Sequence, residues 1–258
     1  MDEIENLKEI ILKEYPRLNK ESKFKFSCHK GISCFNKCCS DVNIFLTPYD
    51  IIRLKTRLNI SSQEFLDKYT FLPIDEKQNH PVVMLKMESD ENKSCPFVGD
   101  NGCTVYEDRP WSCRMFPLGV ASPKDAGKHG EGEFYFILQE PVCKGYEENK
   151  DWTVAKWISD QSIEEYTEMG ELFKDISLHD YFKKGKQLEP AKQEMFYTVC
   201  FNIDKFREFV FESSFLKRFI VDEKIIGRIR EDDKELLIFG FNWLRYCLFG
   251  EETMKVKK

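Results

Sequence analysis

The sequence lacks the features of a membrane or secreted protein. Its strongest apolar run, Leu236 to Leu244, covers nine residues and is interrupted by Gly240 and Asn242, whereas a helix that crosses a bilayer needs about 20 apolar residues. The opening stretch from Met1 to Glu5 is acidic and has neither the basic nor the apolar region of a signal peptide. We therefore predict a cytoplasmic protein with no membrane partner.

An excess of basic residues is also missing. The chain has 39 Lys and Arg against 45 Asp and Glu, which gives a net charge of -6. Domains that bind nucleic acid through the phosphate backbone usually carry a basic excess or a basic stripe. We expect no nucleic-acid partner.

The signatures of several enzyme classes are absent. The sequence has no glycine-rich dinucleotide loop, no phosphate-binding P-loop and no serine-nucleophile elbow. A radical S-adenosylmethionine motif needs Cys-x3-Cys-x2-Cys, but Cys34 and Cys38 are followed at the required place by Asp41. None of these reactions is therefore supported by a motif.

Cysteines are abundant and unevenly placed. Ten occur in 258 residues, and a reducing compartment disfavours disulfides. Eight are crowded into less than half of the chain: Cys28, Cys34, Cys38, Cys39, Cys95, Cys103, Cys113 and Cys143. Thiolates bind zinc, copper(I) and iron–sulfur clusters, and two groups of four fit two four-coordinate sites or one cluster plus a second ion. We predict that these eight bind metal, either an iron–sulfur cluster or iron, with zinc as the alternative.

The adjacent pair Cys38 and Cys39 suggests how the two groups could be joined. Neighbouring side chains on extended backbone point to opposite sides, so the pair could serve two metal centres; alternatively, one of them is a spectator. His29 is an alternative ligand beside Cys28. Cys200 and Cys247 lie in helix-like apolar stretches, where free cysteine behaves as a small buried hydrophobe.

Cationic side chains flank the cysteines. Those that lie within four residues of a cysteine include Lys30, Lys37, Arg109, Arg114 and Lys144. They could offset the negative charge of several thiolates or bind an anionic substrate, and the lysines could equally be solvated surface. Arg109 and Arg114 stand among prolines and aromatics, which favours a role beyond the surface.

The hydrophobic pattern predicts an α+β fold. We expect a small metal-stapled cysteine-cluster domain with short strands over residues 1–150 and a mostly helical extension over 151–258. Periodicity and capping signals predict four helices: a leading helix in 1–20, a helix capped by Thr47 with Pro48 in its first turn, a helix from Ser61 or Ser62, and a helix capped by Asp204. Strands are predicted at Pro81–Met87 and Phe134–Leu138, and a turn at Gly99–Gly102. We expect Phe206, Phe209 and Val210 to face inward from this last helix, and an apolar face from Leu236 to Leu248.

Taken together, the motifs between residues 24 and 150 resemble the YkgJ-type cysteine-cluster proteins. The matching residues are Cys28, Cys34, Cys38-Cys39, Leu46-Thr47-Pro48 with Asp50, Cys95-Pro96-Phe97, Gly102-Cys103, Val105-Tyr106, Arg109-Pro110, Cys113-Arg114, Phe116-Pro117 and Cys143-x-Gly145. The resemblance implies a domain that chelates zinc or iron. The usual opening of the family, Cys-x-x-Cys-x-x-Cys-Cys, is stretched here to spacings of five and three residues.

Three functions remain open at this point. The first is a metal-binding protein with a redox, metal-handling or protein-modifying role, and the second is a structural zinc module of an interaction protein. The third is an S-adenosylmethionine-dependent protein methyltransferase, because the flagellin lysine-N-methylases resemble the same cysteine cluster. Each would have a protein or small-molecule partner that the sequence does not identify.

Overall fold

The structure is a computed structural model, and it describes residues 15–73, 78–121, 132–183 and 185–257. The leading helix predicted in residues 1–20 falls mostly outside these ranges. In its described part, Leu18 forms an antiparallel β-bridge with Tyr135.

The described elements make an α+β fold, as predicted. The α-helices are α1 (Pro48–Leu58), α2 (Ser62–Tyr69), α3 (Trp111–Met115), α4 (Val154–Asp160), α5 (Glu164–Ser177), α6 (Asp180–Lys183), α7 (Pro190–Phe201), α8 (Ile203–Glu212), α9 (Phe215–Arg218), α10 (Glu223–Glu231) and α11 (Asp233–Leu244). The strands are β1 (Lys23–Lys25), β2 (Thr70–Phe71), β3 (Met84–Leu85), β4 (Val98–Gly99), β5 (Gly102–Cys103), β6 (Leu118–Ala121), β7 (Phe134–Ile137), β8 (Asp151–Thr153), β9 (Phe219–Ile220) and β10 (Lys255–Val256). Short strands dominate before Cys143 and helices after it.

The strands form antiparallel pairs rather than one sheet. The pairs are β1 with β8, β2 with β3, β4 with β5, β6 with β7, and β9 with β10. The turn predicted at Gly99–Gly102 is confirmed, because it joins β4 to β5. The strand predicted at Pro81–Met87 is shorter, since only Met84 and Leu85 pair with a neighbour.

The chain divides into two units by the density of internal contacts. Unit 1 comprises Met1–Ser40, Val98–Thr104 and Ser112–Glu165, and unit 2 comprises Asp41–Phe97, Val105–Trp111 and Tyr166–Lys258. The division predicted at residue 150 stays a prediction.

Unit 1 is built around an aromatic cluster. Phe26 is 2% exposed and packs edge-on against Trp157, with ring centroids 5.6 Å apart, and against Phe116 at 5.7 Å. Trp152, on β8, donates from its indole nitrogen to the carbonyl of Phe26. These contacts fix the segment that leads directly into Cys28.

Unit 2 contains the predicted helix starts. Thr47 caps α1 in a reciprocal capping box with Asp50, and Pro48 is in the first turn. Ser61 caps α2. The prediction that Asp204 caps α8 is wrong, because the side chain of Asn202 accepts from the Lys205 N–H. Asp204 instead accepts from the backbone N–H of Ser62 and from the Lys55 ammonium.

The core of unit 2 is formed by α7, α8 and α11. Phe206 and Val210 are fully buried as predicted, whereas Phe209 is 40% exposed because it lies at the edge of this core. The apolar face predicted from Leu236 to Leu248 is confirmed, since Leu236, Leu244 and Leu248 are buried. Gly240 allows close helix packing, because an added Cβ would stand 2.6 Å from Val199 Cγ1.

Within the described ranges, no helix combines the length and the apolar character that a membrane crossing requires.

Candidate metal centre

Four of the eight predicted ligands lie near one another within unit 1, although no three of the described side chains are arranged as ligands around an ion. The thiols of Cys34, Cys38 and Cys143 all act electrostatically on Cys28, and Cys34 also hydrogen-bonds with Cys143. These four side chains come from three separate segments: the end of β1, the turns before residue 40, and the turn at Cys143. We call Cys28, Cys34, Cys38 and Cys143 the four-thiol cluster.

Consecutive tight turns shape the first cysteine loop. Backbone N–H groups of Phe35, Lys37 and Cys39 donate to the carbonyls three residues earlier, at 3.0 to 3.1 Å. Asn36 adopts a left-handed conformation with φ of 67°, which Asn tolerates better than most residues. Its side-chain amide donates to the Gly99 carbonyl at 3.0 Å and so ties the loop to the β4–β5 hairpin.

The segment carrying Cys143 is joined directly to the segment carrying Cys28. The Ser27 N–H donates to the Gly145 carbonyl at 3.0 Å. A Cβ at Gly145 would stand 2.6 Å from Phe26 Cε2 and 2.9 Å from the Ser27 carbonyl oxygen. Only glycine therefore permits this approach, which explains the Cys143-x-Gly145 pattern.

Backbone N–H groups are directed at the thiols. The Lys144 N–H donates to Cys34 Sγ at 3.1 Å, and the Gly145 N–H donates to the Cys143 thiol. Such donors stabilise thiolate sulfurs around a metal and offset their negative charge. The donor chemistry of the four-thiol cluster therefore fits a thiophilic ion such as zinc or iron.

The thiols of Cys28, Cys38 and Cys143 differ in acidity. The pKa of Cys28 is raised to about 11, mainly because its sulfur is partly removed from solvent, although the residue as a whole is exposed. The nearby thiols of Cys38, Cys143 and Cys34 raise this pKa further. Burial likewise raises the pKa of Cys143. In contrast, a hydrogen bond from the Cys39 thiol and one from its own backbone lower the pKa of Cys38 to about 7. Cys38 therefore becomes a thiolate at lower pH than Cys28 or Cys143.

The other four predicted ligands are more dispersed along the chain. Cys39 follows Cys38 in a 3₁₀ turn, Cys103 lies on β5 and Cys113 lies in α3 of unit 1, while Cys95 belongs to unit 2. Across the described residues, no set of three or more His, Cys, Asp or Glu side chains has the geometry of ligands around an ion. The role of these four cysteines as ligands stays a prediction.

The two cysteines predicted to be spectators lie in unit 2. Cys200, in α7, is 2% exposed, and burial raises its pKa well above the ordinary value. Cys247 is half-buried in the π-helical turn Arg245–Phe249 that follows α11. Both are embedded in helical structure, as expected for structural thiols.

Flanking side chains have more specific contacts than the sequence indicated. His29 accepts from the Gly31 N–H through Nδ1, and its Nε2 contacts Glu148 Oε2 at 3.3 Å, so both ring nitrogens are engaged. Arg114 is 3% exposed and donates to the Gln161 carbonyl. Arg109 is 6% exposed and stacks on the ring of Tyr106. The two arginines are thus buried and bound to protein groups.

The sequence reasoning missed Tyr146 and Glu140. Tyr146 donates to the Leu138 carbonyl, and burial followed by the nearby Cys143 raises its pKa strongly. Glu140 acts on the Cys38 thiol through its charge. The sequence feature that could have indicated a role for these two residues is their position within three residues of Cys143.

A comparison with known protein families finds a match for the cysteine-rich region. A family model described as "CxxCxxCC: putative zinc- or iron-chelating domain" matches residues 27–151. No curated protein and no solved structure matches the chain.

Proposed function

We propose that the chain binds zinc or iron through the four-thiol cluster of Cys28, Cys34, Cys38 and Cys143, because a family model for a zinc- or iron-chelating domain matches residues 27–151. The observation that supports this is the proximity of the four thiols, which influence one another electrostatically, together with two backbone N–H groups directed at their sulfurs.

The donor set favours a closed site. Four thiolates complete a tetrahedral shell around zinc or iron, so the ion supplies structural cross-linking rather than an open position for a substrate. The protein's own part is to keep the four thiols near one another on hydrogen-bonded turns, from which the ion would draw them into its shell, and to offset their charge with N–H donors. A metal-binding module with a stabilised loop framework is therefore favoured over catalysis at the metal.

The remaining four cysteines extend the proposal. We propose that Cys39, Cys95, Cys103 and Cys113 are further metal ligands, as the cysteine pattern predicts. Eight thiolates would then bind two ions or an iron–sulfur cluster with a second ion.

Metal content per chain tests the proposal. In full-length protein purified without oxygen, replacing Cys28, Cys34, Cys38 or Cys143 with serine should lower the bound metal, since a hydroxyl is a poor ligand for soft metals. Cys200→Ala is the matched control, because its thiol is buried among apolar groups, and it should keep full metal loading. Full loading in the four serine variants would reject the cluster as the binding site.

An absorption spectrum of the same samples separates the metals. Thiolate-bound iron or an iron–sulfur cluster absorbs visible light, whereas a zinc site is colourless and redox-silent. A colourless protein with about one zinc ion per four required cysteines would favour the structural zinc module. A brown protein whose colour bleaches on oxidation would favour the redox and protein-modifying roles.

A further inference from the structure

Unit 2 contains a cavity of about 550 Å³ that the metal-binding proposal does not use. It lies among the end of α8, the short helix α9, the helix α11 and the strand β10. Cavities of roughly 300–1,000 Å³ are the usual size for small organic ligands. The cavity is thus large enough for one such molecule.

One wall of the cavity is aromatic. Phe209 and Phe215 lie 5.1 and 5.5 Å from Trp243, measured between ring centroids. Trp243 is only 7% exposed, yet its indole nitrogen has no hydrogen-bond partner within the described residues. Phe209 and Val256, which also line the cavity, are 40% and 51% exposed. An apolar body would cover this surface and bury it from water.

The polar part of the lining is basic. Lys217, Arg218 and Lys257 line the cavity, and among the residues described there no Asp or Glu does so. The ammonium of Lys257 donates to the Leu216 carbonyl, whereas the side chains of Lys217 and Arg218 have no carboxylate partner in the described part of the chain. This local basic character stands out in a chain of net charge -6.

We propose that this cavity binds a small amphipathic anion, with its apolar body against Phe209, Phe215 and Trp243 and its carboxylate near Lys217 and Arg218. The apolar wall supplies contact area, and the two cations select for a negative head group. The residues of this site are separate in sequence from the four-thiol cluster, so a failure of the metal-binding proposal would not affect the anion-binding proposal, and the reverse also holds.

Calorimetric titration of the full-length protein with decanoate tests the proposal. Saturable binding of one decanoate per chain is expected, and decanol, which has the same type of apolar body without the charge, should bind at least about tenfold more weakly. The Lys217→Glu/Arg218→Glu variant should lose about tenfold or more in decanoate affinity. Absence of saturable decanoate binding, or equal affinity for decanol, would overturn the proposal.

A second charge-reversal variant controls for the overall charge. Lys20→Glu/Lys23→Glu makes the same change in net charge at exposed positions of unit 1. It should bind decanoate within about twofold of the unaltered protein. An equal loss in both variants would show that net charge, rather than the cavity, attracts the anion, and would reject the site.

Chemical protection provides a readout that needs no variant. Cys247 lines the cavity, whereas Cys200 is buried elsewhere in unit 2. Decanoate should slow the alkylation of Cys247 by N-ethylmaleimide, measured by mass spectrometry of the peptides, and leave the rates at Cys28 and Cys113 unchanged. Unprotected Cys247 at saturating decanoate would contradict binding in this cavity.

Discussion

Gly145 lies where the segments carrying Cys28 and Cys143 touch. The Ser27 N–H bonds to its carbonyl, and its own N–H donates to the Cys143 thiol. Because Phe26 and the Ser27 carbonyl occupy the space a side chain would need, the conformation of the proposed metal centre depends on the lack of a Cβ at this one residue.

Replacing Gly145 with alanine should therefore lower both stability and metal content. The new Cβ would be forced against Phe26 and Ser27, and overpacking of this kind costs about 1–3 kcal/mol. The matched control is Gly170→Ala in α5, where a Cβ meets nothing within 4 Å. The control should be neutral or stabilising by about 0.4–1 kcal/mol. Urea unfolding with metal analysis measures both, and equal behaviour of the two variants would contradict the argument.

At the scale of single elements, Asp50 organises the start of α1. It is fully buried, and it accepts from the N–H and hydroxyl of Thr47, each at 2.8 Å, and from the Trp111 N–H at 2.8 Å. One carboxylate thus caps a helix and holds the segment at Trp111, both within unit 2. This explains why Thr47, Pro48 and Asp50 occur together as a motif.

Asp50→Asn should destabilise unit 2 by about 2 kcal/mol or more. In the variant, the amide NH₂ would face an N–H group that donates to a carboxylate oxygen in the unaltered protein. Two donors would then oppose each other, and an unsatisfied buried donor costs about 1–3 kcal/mol. Asp67→Asn on α2 serves as the control, because it changes an exposed carboxylate, and such surface changes usually stay within about 0.5 kcal/mol. Denaturant unfolding of both proteins measures the difference; a similar effect in each would argue against a central role for Asp50.

A second element-scale link joins α1, α2 and α8 through Asp204. Burial of the carboxyl favours the neutral form, but the Ser62 N–H at 2.6 Å and the Lys55 ammonium at 3.0 Å outweigh it and hold the pKa of Asp204 below its usual range. A carboxyl with a lowered folded-state pKa stabilises the fold above its unfolded pKa of about 3.9. That contribution is lost as pH falls through the folded-state pKa.

Asp204→Asn should consequently be less stable than the unaltered protein at pH 7, and the gap should shrink as pH falls below about 4. Unfolding free energies of the two proteins at several pH values measure this gap. A gap that stayed constant with pH would mean that the charge of Asp204 does not contribute to stability.

At the scale of the whole molecule, the proposed metal acts on a region made of short elements. Unit 1 has two-residue to four-residue strand pairs, and the four-thiol cluster joins segments that are more than 100 residues apart in sequence, from Cys28 to Cys143. Metal binding energies of about 10–16 kcal/mol in small zinc-folded peptides are comparable to the stability of a whole domain.

Chelation should therefore lower the melting temperature of the full-length protein, and adding back the native metal should restore it. Cys200→Ala should show the same sensitivity to chelator, since its thiol is not a predicted ligand. Differential scanning calorimetry with metal analysis checks the result. An unchanged melting temperature after verified metal removal would refute a structural role for the ion.

The sequence by itself determined the chemistry of the cysteine-rich region and the type of most elements. Thr47 with Pro48, Ser61, and the glycines at 99 and 102 are local signals, because capping and turn formation depend on residues within a few positions. The local signal gave the wrong residue where two neighbours could both cap a helix. Asn202 caps α8, because the Asp204 carboxylate instead accepts hydrogen bonds from Ser62 and Lys55, which lie on α2 and α1.

Only the tertiary structure decided which thiols meet. Spacing grouped Cys34, Cys38 and Cys39 with Cys28, but the distance along the chain gave no reason for Cys143 to join them. That contact depends on the hydrogen bond between Ser27 and Gly145 and on the packing of Phe26, which are interactions between residues far apart in sequence. The cavity beside Trp243 has the same origin, because its walls come from α8, α9, α11 and β10, and no local pattern records how such elements pack.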